Sequence, residues 1–304
     1  MLLIKCLASI SLAAITLPTL HSEPHCPGNA ASIRFRLVQS SRIIVPVTIN
    51  HTGPYEFLVD TGTESTIVDP SLATELHLKT RGSAEVVGVG FSTQASFAYL
   101  DLLEAGSHSV ADHLVVVLDL QPFQAADLHF RGIISGDFLA HFDVLMDYAH
   151  RMLCLDDTKV MQPEMKGKHV ALVTPPHPDD EVLSTEPLII SVQLSGIAAT
   201  PLLQLLDSGI SVPLLYDSGK EIAAGFSVNA PIRDQGPDGV ERVFDVLPPQ
   251  EIKIGTLALH QISFVTLKGA GKDVPKVGVD GLLPTSLFRR VYISYADRFV
   301  VLEP

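Results

Sequence analysis

The sequence contains no tryptophan and only 6% aromatic residues, which argues against a surface that stacks carbohydrate rings. It is also poor in positive charge, because 21 lysines and arginines stand against 34 acidic residues, giving a net charge of −13. The basic residues are scattered along the chain. A surface that neutralises phosphates is therefore excluded, and nucleic acid is not an expected partner.

Cysteine is scarce as well, with three copies, of which Cys6 lies in an apolar leader. If the leader is removed, Cys26 and Cys154 remain, and they either form a disulfide or stay free. No Cys-x-x-Cys or lipid-attachment pattern is present, and no apolar run beyond the leader is long enough to cross a membrane. We therefore expect no stable membrane span once the leader is cleaved.

The leader itself has the features of a signal peptide. Lys5 precedes an apolar run over residues 6–20, and Ser22 offers a small residue for cleavage. This run is shorter than the roughly 20 residues that a spanning helix requires, so an uncleaved anchor is the lesser alternative. The sequence predicts a signal peptide over 1–22 and export to the periplasm or the extracellular space.

The remainder of the chain predicts an all-β protein. Hydrophobic residues make up 46% of the chain and charged residues 18%, which is enough apolar material for a core. Short runs rich in β-branched residues follow one another at close spacing, with turn residues such as those at 51–54 between them. Helices are expected only at 70–78 and near 137–141.

The chain also matches itself. A shift of 147 residues aligns 57–62 with 204–209, and also 147–155 with 294–302. Two matches at one offset indicate a tandem duplication. A length of 304 residues fits two domains. The predicted organisation is a signal peptide at 1–22, an N-terminal lobe at 23–157, a linker rich in proline and charge at 158–185, and a C-terminal lobe at 186–304.

Each half carries an aspartate, a hydroxyl residue and a glycine directly after apolar residues. These are Asp-Thr-Gly at 60–62 and Asp-Ser-Gly at 207–209. One such tripeptide is an ordinary turn that ends a strand. Two copies at equivalent places are more informative, because the pseudo-twofold axis of a duplicated chain can bring the two carboxylates together.

These motifs resemble those of the aspartic peptidase family, with retropepsin-like halves in a two-lobed arrangement similar to pepsin. The resemblance covers about 42–302 and includes a glycine followed by an apolar pair, at 132–134 and again at 281–283. Where the family usually has glycine after the pair, this chain has Ser135 and Pro284. The resemblance implies an all-β fold of two retropepsin-like β-barrel lobes related by internal duplication, in a monomer that forms an intramolecular pseudo-dimer.

By this resemblance, Asp60 and Asp207 form a catalytic dyad that hydrolyses peptide bonds. Two carboxylates about 3 Å apart share one proton, so the ionised member activates a water while the protonated member donates to the carbonyl oxygen. This chemistry requires no metal or cofactor, and the expected partner is a peptide or protein substrate. The residues predicted to support the dyad are Thr61, Gly62, Thr63, Ser208 and Gly209.

The supporting residues differ between the halves at one position. Thr63 has a hydroxyl that can hydrogen-bond to Asp60, whereas the equivalent Ile210 has none, so the two aspartates are not expected to be electrostatically identical. Which aspartate acts as the base does not follow from the sequence.

A flexible β-hairpin covers the cleft in the aspartic peptidases. The best candidate lies at 86–91, where Gly88 and Gly90 favour mobility and Phe91 is a candidate substrate contact. The second half has a candidate of its own, which includes a polar insertion at 233–239. The sequence does not decide which half supplies the cover.

Two alternatives compete with an endopeptidase. The first is a catalytically inactive pseudo-peptidase that binds extended peptides by strand addition, which Ser135 and Pro284 motivate. The second is a zinc-dependent deacetylase, because 177–181 reads His-Pro-Asp-Asp-Glu. No later His-x-x-His pair supplies a further ligand. A third Asp-Ser-Gly, at 217–219, lacks the long apolar approach and is interpreted as a loop.

Overall fold

The computed structural model describes residues 25–88, 91–124, 128–174, 185–195, 200–216, 229–235, 240–267 and 278–304. Strands dominate these ranges, so the all-β prediction is confirmed. None of the helices within them is long and apolar enough to cross a membrane. The predicted signal peptide lies outside the described residues.

Eleven of the described strands precede residue 157. They are β1 (Ala31–Arg34), β2 (Arg36–Val38), β3 (Arg42–Ile49), β4 (Thr52–Val59), β5 (Ile67–Val68), β6 (Arg81–Gly88), β7 (Phe91–Ala105), β8 (His108–Val117), β9 (Gly132–Ile134), β10 (Asp143–Asp147) and β11 (Met152–Asp156).

Twelve described strands follow. They are β12 (His169–Ala171), β13 (Ile189–Leu194), β14 (Leu202–Asp207), β15 (Leu214–Leu215), β16 (Asn229–Gln235), β17 (Glu241–Val246), β18 (Gln250–Ile254), β19 (Leu257–Ile262), β20 (Val265–Leu267), β21 (Gly281–Pro284), β22 (Arg290–Ser294) and β23 (Phe299–Glu303).

The helices of the described ranges are short. Two lie at the predicted places, 70–78 and near 137–141, and a third, at 158–161, is not predicted by the sequence. They are α1 (Pro70–Glu75), α2 (Gly136–Leu139) and α3 (Thr158–Met161), with single 3-10 turns at Pro27–Asn29, Gln121–Phe123, Gln162–Glu164 and Thr285–Leu287. Asp69 caps α1 by accepting a hydrogen bond from the Ser71 amide, and Pro70 occupies its first turn. Both residues are favoured at those positions of a helix.

Each half of the chain forms one sheet. The first half gives an eight-stranded sheet in the order β2-β3-β4-β9-β5-β8-β7-β6, and the second half a nine-stranded sheet in the order β16-β17-β20-β15-β21-β14-β13-β18-β19. Both contain two parallel pairs among antiparallel neighbours: β4 with β9 and β5 with β8 in the first sheet, and β14 with β21 and β15 with β20 in the second.

The register of these parallel pairs is also equivalent. Leu58 lies opposite Ile133 in the first sheet, and Leu205 lies opposite Leu282 in the second. The two aligned segments of the sequence therefore occupy the same place in their sheets. In both sheets the strand that leads to the Asp-hydroxyl-Gly turn is central, with paired strands on each side.

A six-stranded sheet, in the order β1-β11-β10-β22-β23-β12, joins the two halves. At its centre β10 of the first half pairs with β22 of the second, with Leu145 opposite Tyr292. A continuous apolar core extends from both lobes into this sheet. The halves are therefore packed as one body, and this fixes the position of one central strand relative to the other.

The described part of the predicted linker at 158–185 contains regular secondary structure. It begins with α3 and contains β12, which pairs with β23 at the edge of the six-stranded sheet. The segment thus adds a strand to the sheet that joins the halves. The His-Pro-Asp-Asp-Glu string at 177–181 lies outside the described residues.

Cys26 and Cys154 form a disulfide, which resolves the alternatives that the sequence leaves open. Both sulfurs are buried in a cluster that includes Met152, Met161 and Tyr292. The bond joins the chain just before β1 to β11, which are neighbours in the six-stranded sheet.

Replacing both cysteines with alanine should lower the free energy of unfolding by about 2–5 kcal/mol, because the bond closes a loop of 128 residues in the unfolded chain. Chemical denaturation with and without a reductant measures this loss. The double variant should not respond to the reductant. A wild-type midpoint that is insensitive to complete reduction would contradict the prediction.

Candidate active site

The two Asp-hydroxyl-Gly turns begin where the central strands end. Asp60 directly follows β4, and Asp207 is the last residue of β14. The approach to each aspartate is apolar, with Val59 and Leu206 fully buried. Burial of these residues draws the strand ends into the interior, and the backbone amide of Asp60 donates to the carbonyl of Ile134 at 3.0 Å. Both aspartates are thus held by buried strands.

Reciprocal hydrogen bonds join the two turns. The Thr61 amide donates to Ser208 Oγ at 3.1 Å, and the Ser208 amide donates to Thr61 Oγ1 at 3.1 Å. Each hydroxyl also donates across the boundary between the halves: Thr61 Oγ1 to the Leu206 carbonyl at 2.8 Å, and Ser208 Oγ to the Val59 carbonyl at 2.7 Å. Both hydroxyl residues are buried. These four bonds fix the turns relative to one another.

The glycines of the two turns let each backbone approach the opposite carboxyl group. A Cβ atom on Gly62 would lie 2.5 Å from Asp207 Cγ, and one on Gly209 would lie 2.6 Å from Asp60 Oδ2. Both distances are far shorter than a van der Waals contact. Alanine at either position would therefore push the carboxyl groups apart.

The carboxyl groups of Asp60 and Asp207 lie together where the two turns meet, because each carboxyl group packs against the glycine of the opposite turn. Asp60 is partly exposed, whereas Asp207 is 6% exposed. Gly62 and Thr63 donate to Asp60, from the Gly62 amide at 2.8 Å and the Thr63 hydroxyl at 2.9 Å. Burial raises the pKa of Asp60, and these donors partly offset the increase because they stabilise its ionised form.

Asp207 has weaker compensation. The Gly209 amide donates to Asp207 Oδ1 at 2.7 Å, and the amide of Ile210 contributes as well, but Ile210 has no side-chain donor. Burial, followed by the negative charge of Asp60, raises the pKa of Asp207 well above its ordinary value. The arrangement therefore favours a proton on Asp207 and a negative charge on Asp60.

A second set of contacts, which the sequence motifs do not predict, lies beneath the Asp60 turn. Asp137 accepts from the Thr66 amide at 2.8 Å and from the Thr66 hydroxyl at 2.6 Å. Its own amide donates to the Glu64 carbonyl at 3.0 Å. His113 Nε2 lies 3.3 Å from Asp137 Oδ2. Asp137 thus anchors the chain that follows Asp60. The sequence signal that could have indicated this set of contacts is Asp137 itself, an acidic residue in the first turn of the predicted helix.

The two departures from the family motif have ordinary backbone conformations. Ser135 has φ −127° and precedes α2, and Pro284 has φ −61° and ends β21. Neither position requires the conformational freedom of glycine. The Ser135 amide donates to Thr66 Oγ1 at 3.3 Å, and Pro284 lies opposite Asp207 in the strand register.

Two tyrosines at equivalent sequence positions approach the turns from the six-stranded sheet. The Tyr148 hydroxyl lies 2.7 Å from Thr285 Oγ1, in the loop of the other half. Tyr295 lies near Gly136, which has no hydroxyl, and the buried Tyr295 hydroxyl has no hydrogen-bond partner among the described residues. Burial, together with the charge of Asp207, raises the pKa of Tyr148, whose hydroxyl stays neutral.

The candidate flap is only partly described. Gly88 ends β6 and lies opposite Phe91 at the start of β7. Gly90 lies outside the described residues. So does the side chain of Phe91, which the sequence predicts to contact the substrate. In the second sheet, β16 and β17 form a hairpin at the place that β6 and β7 occupy in the first. The tip of that hairpin, at 236–239, is not described.

The string at 177–181 and the third Asp-Ser-Gly at 217–219 both lie outside the described residues. Within the part of the chain that the structure describes, no group of three or more histidine, cysteine or acidic side chains is arranged to hold a metal ion.

A family model for aspartyl proteases matches residues 45–138 of the chain. The matched region includes Asp60, the Thr66–Asp137 contact and the β6–β7 hairpin, and it ends within α2. The match supports an aspartyl protease family and a protease-like hydrolytic function. A search of curated proteins found no significant match.

The two tyrosines give a matched test of the contacts around the turns. Tyr148→Phe should lower the free energy of unfolding by about 1 kcal/mol, because it removes a hydrogen bond to the buried Thr285 hydroxyl. Tyr295→Phe should cause no loss, because the hydroxyl that it removes has no partner. Urea denaturation of both variants measures the difference, and equal losses would contradict it.

Proposed function

We propose that this protein is an aspartic endopeptidase in which Asp60 and Asp207 form the catalytic dyad. The observation that carries the proposal is that the two carboxyl groups, each packed against the glycine of the opposite turn, lie at the meeting point of two turns that reciprocal hydroxyl bonds hold together. A pair of buried carboxyls in hydrogen-bond contact shares one proton, which provides an acid and a base at the same place.

The unequal surroundings of the two aspartates assign their roles. Asp60 is the ionised base, because the Thr63 hydroxyl and two backbone amides stabilise its charge. Asp207 is the acid, because burial and the charge of Asp60 favour its protonated form. The dyad titrates as a pair, so its two apparent pKa values describe the pair and not single residues.

The reaction proceeds by addition and elimination. A water between the carboxyls gives a proton to Asp60 as its oxygen attacks the scissile carbonyl carbon, and Asp207 gives its proton to the carbonyl oxygen. The resulting diol returns one hydroxyl proton to Asp207. Asp60 passes its proton to the amide nitrogen as the carbon–nitrogen bond breaks, so both aspartates regain their starting states.

The proposed enzyme is a duplicated chain whose halves act as the two lobes. The equivalent order of strands, the equivalent parallel pairs and the matching register in the two sheets support this origin. A single chain then contains both aspartates, and the active unit is a monomer.

We further propose that the protein is exported. The apolar leader at 1–22 supports this, and so does the Cys26–Cys154 disulfide, because disulfides persist mainly in oxidising compartments. The substrate is then a peptide or protein outside the cytoplasm.

Asp60→Asn and Asp207→Asn should each abolish cleavage of a peptide library, because the mechanism needs one acid and one base. Removal of either group from a catalytic unit typically reduces turnover by several orders of magnitude. Asp217→Asn changes the third Asp-Ser-Gly in the same way and should leave cleavage intact.

Mass spectrometry of the cleaved library measures these effects. Cleavage that survives both dyad substitutions, or that a zinc chelator abolishes, would overturn the proposal. Tight peptide binding without cleavage by the wild type would favour the inactive peptide-binding alternative.

The pH profile of cleavage should be bell-shaped. The midpoints of both limbs should lie at pH values above the ordinary pKa range of aspartate, because burial raises both pKa values. Thr63→Val removes a donor that lowers the pKa of Asp60, so the acid limb should move to higher pH. The alkaline limb should move less, because Asp60 is ionised on both sides of that limb and Thr63 donates to Asp60.

Ile210→Thr is the reciprocal test. A hydroxyl at this position stabilises ionised Asp207, so the alkaline limb should move to lower pH. Ile210→Val serves as the control for packing and should leave both limbs in place. Identical profiles for Thr63→Val and the wild type would refute the assignment of Asp60 as the ionised base.

A further inference from the structure

Arg42 makes a contact between the two halves at the Asp207 turn. It is the first residue of β3 in the first half, and its Nε donates to the carbonyl of Gly209 in the second half at 2.9 Å. Its Nη1 donates to Oε1 of Gln39, in the turn that precedes β3. The side chain of Arg42 is partly buried. Contacts on two sides therefore hold a positive charge against the Asp207 turn.

This contact reaches Asp207 through Gly209. The amide of Gly209 donates to Asp207 Oδ1 at 2.7 Å, while its carbonyl accepts from Arg42. A Cβ atom on Gly209 would also lie 2.6 Å from Asp60 Oδ2, so this glycine is in close contact with both carboxyl groups. Its main chain is therefore held between the guanidinium on one side and the dyad on the other.

The peptide group that joins Gly209 to Ile210 extends this chain of bonds. Its carbonyl oxygen accepts from Arg42, and its N–H, which belongs to Ile210, is a second backbone donor that lowers the pKa of Asp207. In a trans peptide group the C=O and the N–H point in opposite directions. The guanidinium and Asp207 therefore lie at the two ends of one peptide dipole. Hydrogen bonds in series polarise one another, so a positive charge at the carbonyl strengthens the donor at the amide.

The strand register identifies the residue that takes the place of this arginine in the second half. Leu58 and Leu205 each precede their aspartate by two residues, and they lie opposite Ile44 and Ile189. The two isoleucines are therefore equivalent. The arginine stands two residues before the first isoleucine, and Pro187 stands two residues before the second. Proline thus occupies the equivalent place.

Pro187 lies beside the first turn, as this equivalence requires. It lines a small recess together with Gly62 and Thr63. A proline ring has no donor, so it cannot supply to this turn the bond that Arg42 gives to the other. The first turn has instead the Thr63 hydroxyl, which donates to Asp60 at 2.9 Å. Each aspartate thus has a supporting group of its own, and the two groups differ in kind.

The other ionisable groups around Asp207 do not favour its ionised form. The negative charge of Asp60 raises the pKa of Asp207. Tyr148, directly after β10, and Tyr216, directly after β15, both respond to the charge of Asp207. Burial raises the pKa of each tyrosine, so both stay neutral while the dyad titrates. Among these described neighbours, Arg42 is the group that favours a negative charge on Asp207.

We propose that Arg42 is a positioning residue for the acid of the dyad. Its bond to the Gly209 carbonyl fixes the two backbone donors that face Asp207 and strengthens the one that belongs to Ile210. A catalytic acid works best when its pKa lies near the working pH, and Arg42 limits how far burial raises the pKa of Asp207. For catalysis the inference rests on the proposed endopeptidase function, whereas for the titration of the two carboxyl groups it does not.

Arg42→Met replaces the guanidinium with an apolar side chain. Without the positive charge and the bond to Gly209, Asp207 should keep its proton to higher pH. The alkaline limb of the pH profile of kcat/KM should therefore move up by roughly 0.5–1 pH unit, as expected for a partly buried charge that acts through one peptide group. The acid limb should move less, because Asp207 is protonated on both sides of that limb.

Two conservative variants separate the charge from the hydrogen bond. Arg42→Lys keeps a charged donor and should restore most of the wild-type profile, whereas Arg42→Gln keeps a neutral donor and should give an intermediate shift. A merely structural role would lower the active fraction in all three variants without moving either limb. An unmoved alkaline limb in Arg42→Met would therefore overturn the proposal. If that variant does not fold, an unmoved limb in Arg42→Gln has the same meaning.

Arg36→Met is the matched control, because it removes a positive charge from the same half of the chain. Arg36 is exposed and pairs with Glu56, outside the two turns. Its removal acts on the dyad only through solvent, so any shift should be small and should disappear at high salt. The shift in Arg42→Met should persist at high salt, because the contact is partly buried. Equal shifts in the two variants would contradict the proposal, since they would show that total charge sets the profile.

A measurement without substrate separates this proposal from the endopeptidase proposal. ¹³C NMR of protein labelled at the aspartate carboxyl carbons follows the titration of the dyad, and Asp60→Asn and Asp207→Asn assign its resonances. The higher of the two apparent pKa values of the pair should increase in Arg42→Met by as much as the alkaline limb moves. If the wild type cleaves peptides and this value does not change, the role of Arg42 is refuted. If the value changes but the wild type cleaves nothing, the endopeptidase proposal fails and the role of Arg42 stands.

Discussion

The structure depends on the exchange of hydrogen bonds between Thr61 and Ser208. Each hydroxyl accepts from the other turn's amide and donates to a carbonyl of the other half, so all four bonds form only when both turns are in register. That register requires two central strands at a fixed separation. The six-stranded sheet supplies the fixed separation, because β10 and β22 pair directly at its centre.

This rigid frame allows two carboxyl groups to be buried in contact. Burial of a charge is costly unless donors surround it, and here amides of both turns point at the carboxylates. The compensation is incomplete, since both pKa values remain raised. A raised pKa in the folded state means that protonation stabilises the fold at low pH. This contribution is lost as the pH rises through the folded pKa values, so the dyad costs stability where it is ionised.

The sequence predicts those parts of the site that depend on one strand and its turn. An apolar approach followed by Asp-Thr-Gly, and a second copy 147 residues later, locates both aspartates and their glycines. It does not predict the Asp137–Thr66–His113 cluster, because α2, β8 and the Asp60 turn meet there only through tertiary packing. Nor does it predict β12, a three-residue edge strand with partly exposed side chains that carry little pattern.

The two halves share a frame but differ in the side chains around it. Thr63 and Ile210 occupy equivalent places beside the aspartates, yet only Thr63 has a hydroxyl, and this inequality favours the negative charge on Asp60. Two identical subunits cannot make such a distinction, because symmetry would give each aspartate the same neighbours. A single chain that contains both halves can therefore fix the proton on one aspartate before any substrate arrives, while the symmetric hydroxyl bonds keep the geometry of the pair unchanged.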